Sequence, residues 1–173
     1  EIRGTNQAIR NALDAQSLID TAEGAYIEVE NIVQRMRELL LQGVNDTNNS
    51  NDRANLAQEA YALFDELDRL GEVTSWAGQK LFDGTGGNDG TYNYNEFSFQ
   101  LGSATGSFNQ IKVKIYEIGN DTLIAGLRAL TADMKTNFST LITAADNALN
   151  DIGHDRAELG AVSNRLNHTV NNL

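Results

Sequence analysis

The 173-residue sequence contains no cysteine and no proline. Without cysteine there is no disulfide and no thiolate metal site. That absence also suits a chain exported in an unfolded state. Without proline, nothing forces a helix to stop or kink, which fits a chain made mostly of uninterrupted helix. Basic residues are scarce as well. Lysine and arginine number 13 against 24 acidic residues, for a formal net charge of −11. Nucleic-acid binding needs clustered cations that release counterions, so this balance argues against it. It argues equally against an anionic membrane surface. No apolar run is long enough to span a bilayer, and no signal-peptide pattern is present. The chain opens on Glu1 rather than Met, inside a helical pattern, so it reads as a fragment, and the absence of a targeting signal excludes little. The length fits one domain.

What the sequence does have is helical rhythm. From Ser139 to Leu173 one seam runs Leu141, Ala145, Ala148, Ile152, Asp155, Leu159, Val162, Leu166, Thr169, Leu173. Alternating steps of four and three keep one helix face toward a partner. At ~1.5 Å per residue that helix is roughly 50 Å long and needs an equally long partner. Residues 1–44 supply it. Their seam runs Ile19, Ala22, Tyr26, Val29, Val33, Met36, Leu40, with Ile2, Ile9 and Ala12 more weakly in phase. Gly24 inside this helix costs ~1 kcal/mol relative to alanine. It is either tolerated strain or a site of close approach, and Gly160-Ala161 presents the same choice. The stretch NDTNNSN (45–51) breaks the helix, with Ser50 or Asn51 as candidate N-cap of the next. That second helix, about Asp52 to Ser75, has the seam Leu56, Ala60, Leu63, Leu67, Leu70, widened by Phe64 and Val73.

From Trp76 the period changes. Glycines at 78, 84, 86, 87 and 90 mark turns. Phe97, Phe99 and Leu101 alternate with polar residues, as do Ile111, Val113 and Ile115, which predicts two half-buried strands. Residues 120–138 return to mixed helical character. The predicted fold is mainly α. Long antiparallel helices pack as a coiled-coil-like rod, with a small β-hairpin region between the second and last helices. Its parts are an N-terminal helical pair (1–76), the β region (77–119) and a C-terminal helix (120–173) completing the same domain. The predicted packing seam centres on Tyr26, Val33, Met36, Leu63, Leu67, Ile152, Leu159, Val162 and Leu166.

Few residues invite chemistry. His154 and His168 share a heptad position, but two ligands do not make a zinc site, and a solvated helix surface is the simpler reading. The loop Asp83–Gly90 resembles a calcium loop only until its twelfth residue, Tyr94, which stands where a glutamate is needed. Carboxylates such as Glu66 and Asp68 sit beside a leucine seam with no pocket to separate their pKa values. H-E-x-x-H, G-x-S-x-G and P-loop motifs are absent. The expectation is no enzyme, no cofactor and no metal. N-x-[ST] sequons at Asn45, Asn48, Asn120, Asn137 and Asn167 are a weak signal in an asparagine-rich chain. Trp76, Tyr92, Tyr94 and Phe97 form an aromatic group that fits hairpin packing better than a binding platform.

Several stretches carry a resemblance. Ile2–Leu39, with its TAEGA and QRMREL segments, resembles the N-terminal region of bacterial flagellin. Asp155–Leu173, with LGAV, the NR pair and the closing NNL, resembles the C-terminal region. WAGQKLFDG resembles the family's F-N-G-x-x-L-L-D-G stretch, departing at Trp76, Ala77 and Phe82. FQLG followed by IKVKI resembles the family's short β element. The resemblance implies a self-assembling structural subunit of the motility filament, extracellular and secreted by the flagellar export apparatus. It also implies that on the order of fifty residues are missing at each end, a fraction of one domain, and that this fragment is monomeric. Arg35, Leu39 and Glu59 match positions that a vertebrate Toll-like receptor contacts in the family. Arg35 and Leu39 stand one helical turn apart and equally fit subunit packing, and Leu40-Leu41 replaces a smaller pair. Two alternatives stay open: a flagellin-like hook–filament junction protein, and a cell-surface ligand-binding or adhesive homologue.

Overall fold

A computed structural model describes residues 2–102, 109–118 and 135–172. The predicted mixed segment 120–138 lies outside these up to residue 134, as do Asn120 and most of the predicted loop after Gly102. Three long helices and five short strands are described. They are α1 (Ile2–Gly43), α2 (Ser50–Val73), β1 (Ser75–Trp76), β2 (Gln79–Lys80), β3 (Gly87–Asn88), β4 (Asn93–Gln100), β5 (Gln110–Tyr116) and α3 (Lys135–Asn172). The fold is mainly α with a small antiparallel β region. No described helix is long and apolar enough to cross a membrane.

The chain divides into two compact units, and α1 and α3 each contribute to both. One unit comprises residues 26–73 and 118–153. Here the N-terminal seam is buried from Tyr26 through Val29, Val33 and Met36 to Leu40, and Leu141, Ala145, Ala148 and Ile152 are buried on α3. The α1–α3 pairing is antiparallel: Gly43 meets Phe138 while Arg37 meets Asp146. Phe138 is fully buried, and any Cβ at Gly43 would fall inside its ring. A glycine is therefore needed there for close approach.

On α2 the buried residues are Ala57, Ala60, Phe64 and Leu67. The predicted stripe needs correction. Leu56, Leu63 and Leu70 are only half-buried and Val73 is exposed. The large Phe64 ring takes the inward place and turns the helix by about one position, leaving Leu63 at the margin. The cap also differs from the expectation. Asn49, not Ser50 or Asn51, closes the helix. Its side chain accepts the Asp52 N–H at 2.9 Å, and the Asp52 carboxylate accepts the Asn49 N–H at 3.0 Å. This reciprocal capping box satisfies two otherwise orphaned donors. Arg53 then donates to the Gly43 carbonyl at 3.0 Å, serving an acceptor at the end of α1 that has no partner within the helix.

The other unit comprises residues 1–25, 74–117 and 154–173. Arg156 donates to Glu23 at 2.7 Å and Ser163 to Gln16 at 3.0 Å, so α1 and α3 run antiparallel here too. Leu159, Val162 and Leu166 are buried, with Ala12, Ala15, Leu18, Ile19 and Ala22 opposite in the same core. The early seam on α1 is carried by Ala8 and Ala12, and Ile9 is only half-buried. The β region is tied to α1 by the Asn11 amide donating to the Gln100 carbonyl at 2.7 Å.

The sheet has the order β3-β4-β5, all antiparallel. Asn95 pairs with Ile115, Phe97 with Val113 and Phe99 with Ile111, which puts all six on one face by the period of two. The β5 members are buried, whereas Phe97 and Phe99 are half-buried. β1 and β2 form a hairpin with a two-residue loop, Ala77-Gly78, at φ of 49° and 79°. Two successive positive φ values are the signature of a type I′ turn, which suits the strand twist.

Candidate recognition and packing surface

The candidate contact residues lie on α1 and α2. Arg35 donates to Glu59 at 2.8 Å and to Glu38 at 3.1 Å. All three side chains are about half exposed or more. The hydrogen bond to Glu59 is the main reason the guanidinium pKa is raised above its ordinary value. Leu39, one turn from Arg35, does not share its exposure. It is 2% exposed and belongs to the core. Four residues bring it back to Arg35's side of the helix by count, but Met36 and Leu40 flank it inside, and the apolar arc is wide enough to take it in. Leu40 is buried too, while Leu41 is exposed. The surface is therefore an ion-paired Arg35–Glu59 bridge between two helices, with Leu41 as the exposed apolar residue nearest in sequence.

Of the packing residues, Tyr26, Val33, Met36, Leu67, Ile152, Leu159, Val162 and Leu166 are buried and Leu63 half-buried. Sequence reasoning missed the polar contacts between helices. Arg37 meets Asp146 at 2.5 Å, and this hydrogen bond raises the Arg37 pKa. Such a pair cannot be found by spacing within one helix, because it depends on the register between α1 and α3. The glycine choice resolves as well. Among the described residues, a Cβ at Gly24 or Gly160 would meet nothing within 4 Å, so neither serves a close approach between described elements.

The four predicted aromatics separate into two groups. Trp76 donates to the Ser17 hydroxyl at 3.3 Å and meets Phe99 edge-on at 6.2 Å. Tyr94 is on the opposite sheet face from Phe97 and meets Tyr116, which also meets Tyr92, with centroids 5.8 and 6.4 Å apart. Lys114 caps the Tyr94 ring at 4.5 Å. Burial, with the nearby carboxylates Glu158, Asp89 and Asp155, pushes the Tyr116 phenol up to about 12. Only Tyr92, 40% exposed, is a largely open ring among these four.

In the acidic loop, Asp89 is turned back on the loop's own backbone. Asp89 accepts the N–H groups of Thr91 and Tyr92, which hold its pKa below the usual range. His154 and His168 are exposed. Among the described residues, no group of three or more His, Cys, Asp or Glu side chains is placed to hold a metal. Glu66 is bonded by Arg69 at 2.6 and 2.8 Å, and that bond lowers its pKa.

Comparison with known proteins follows the same two ends. Residues 1–86 match the bacterial flagellin N-terminal helical region, and residues 142–173 match the C-terminal helical region. A flagellin of Halalkalibacterium halodurans is 38% identical over all of this chain and 60% of its own length. A flagellin of Bacillus subtilis is 37% identical over all of this chain and 64% of its own. The chain thus spans a little under two thirds of these relatives. The crystal structure of Bacillus cereus flagellin superposes with a TM-score of 0.75 at 30% identity, over 95% of this chain and 89% of that one. Matched at both ends and along nearly the whole of a solved relative, this chain belongs to the bacterial flagellin family.

Proposed function

We propose that this chain is part of a structural subunit of the bacterial flagellar filament, acting by self-association and not by catalysis. The observation that carries the reading is the paired long helices α1 and α3, antiparallel in both units and matched at both ends to the flagellin helical regions. Helices of this kind offer long faces on which copies associate head to tail, and contacts that do not close produce a helical polymer. The polymer works outside the cell, delivered by the flagellar export apparatus. The chain studied by itself is monomeric. The test places it between the terminal segments of the Bacillus subtilis relative, in a strain lacking its own flagellin. Restored swimming supports the reading. Stable, secreted protein without filaments or swimming overturns it and moves weight to a junction or adhesive role.

A second reading is favoured by the exposed Arg35–Glu59 bridge. A vertebrate Toll-like receptor recognises this surface through Arg35 and Glu59, with Leu39 acting from below by holding α1 in place. Arg35→Ala and Glu59→Ala are each expected to reduce receptor activation by about tenfold, the size of one substantial interface contact. Unchanged activation in both variants would remove this reading and leave the first intact.

A further inference from the structure

Asn95 is the only buried polar side chain among the described residues, at 6% exposure. It lies in β4, on the inward face with Phe97 and Phe99. A buried amide is costly unless all its hydrogen-bonding groups are used. Its two N–H hydrogens serve three acceptors: the Asp83 carboxylate at 2.6 Å and the carbonyls of Lys80 and Leu81 at 3.1 and 3.2 Å. Its oxygen accepts the Gly86 N–H at 2.9 Å. One side chain thus replaces a missing strand partner for segment 80–86, which leaves the end of β2 at Lys80 and is irregular from Leu81. That segment carries two buried apolar residues, Leu81 and Phe82. It also lies hard against β4, since a Cβ at Gly86 would stand 2.9 Å from the backbone of Tyr94 and Asn95.

We propose that Asn95 and Asp83 form a clasp that holds segment 80–86 on the sheet and opens when Asp83 takes up a proton, releasing that segment while the helices stay folded. The shortest bond of the clasp is to an ionised acceptor, and protonation replaces it with a weaker neutral one. The Thr85 hydroxyl donates to the same carboxylate at 3.1 Å. Three charged groups lie near this segment. Lys80 favours the ionised form of Asp83. Glu117 reaches over Gly84 toward the loop but is engaged by the Asn93 amide at 2.9 Å. Glu96 of β4 falls on the other sheet face, paired with Lys112. The Asp83 pKa is lowered from 3.8, chiefly by the Asn95 bond. A lowered carboxylate stabilises the closed state above its unfolded value and loses that contribution as pH falls through its folded value, so opening belongs below pH 3.8.

The test reads amide exchange at Gly86 by NMR, corrected for intrinsic rate, with helical circular dichroism as control. In the unaltered chain, protection is expected to hold from neutral pH to about 4 and to fall several-fold below 3.8, while helical signal persists. Asp83→Asn should flatten this profile. Asn95→Asp should invert it. Two touching carboxylates repel at pH 7 and share one proton in mild acid, so protection should rise as pH falls. The proposal is overturned if Asp83→Asn keeps the acid step, if Asn95→Asp is as protected at pH 7 as the unaltered chain, or if helix and segment are lost together.

Discussion

At the scale of single residues, two positions carry strain or close fit that composition does not disclose. Ala77 holds a φ of 49°, where an L side chain other than Asn or Gly is disfavoured. The family's F-N-G stretch, which Trp76-Ala77-Gly78 resembles, has an asparagine there. Ala77→Asn is therefore expected to stabilise the chain by about 0.5–1 kcal/mol, read as a shift of the denaturant midpoint with unchanged slope. Gly43→Ala should do the opposite. Its methyl group would enter the buried Phe138 ring, and overpacking of this kind costs about 1–3 kcal/mol. Thermal unfolding measures it, and a companion Phe138→Leu change should recover part of the loss by making room. The departure at Ala77 is legible in the sequence alone, because the turn chemistry of an N-G pair is local. The need for Gly43 is not, since its partner Phe138 lies on another helix far along the chain and only packing brings the two together.

At the scale of elements, the period of the apolar residues locates α1, α2, α3 and the two long strands to within a few residues. A seam from Tyr26 to Leu40 or from Leu141 to Leu166 can be read directly because burial on a helix repeats every three or four residues. What period alone does not decide is the rotation of a helix when apolar residues are adjacent. Leu63-Phe64 and Leu39-Leu40 are the two cases. The ring of Phe64 displaces Leu63 to the margin, and both leucines of the second pair go inside. The candidate site is affected accordingly. Arg35 and Glu59 meet as their type and spacing allow, but Leu39 supports them from the core. Leu39→Ala should thus lower stability by about 2–5 kcal/mol, the usual cost of emptying a leucine site, and act on recognition only through folding; chemical denaturation measures the first and receptor activation the second. The helical glycines give a contrasting prediction. Gly24 lies in α1 with no atom of the described residues within 4 Å of a Cβ placed there, so Gly24→Ala should raise stability by about 0.8–1 kcal/mol. A loss instead would show that the glycine serves a requirement the chain alone does not contain.

At the scale of the whole molecule, the function we propose for this chain is association between copies through long helices. Buried side chains hold the helices of each unit together, and polar pairs register them, as at Arg37–Asp146 and Glu23–Arg156. Asp89 and the Tyr94–Tyr116 pair are likewise engaged by the β region's own turns and packing. The most direct measurement is electron microscopy of purified protein mixed with filament seeds, using this chain placed between the terminal segments of the Bacillus subtilis relative, with the chain alone as control. The expected result is seeds lengthened by the extended protein and unchanged by the chain alone. Folded, extended protein that never lengthens a seed would contradict a filament-forming role.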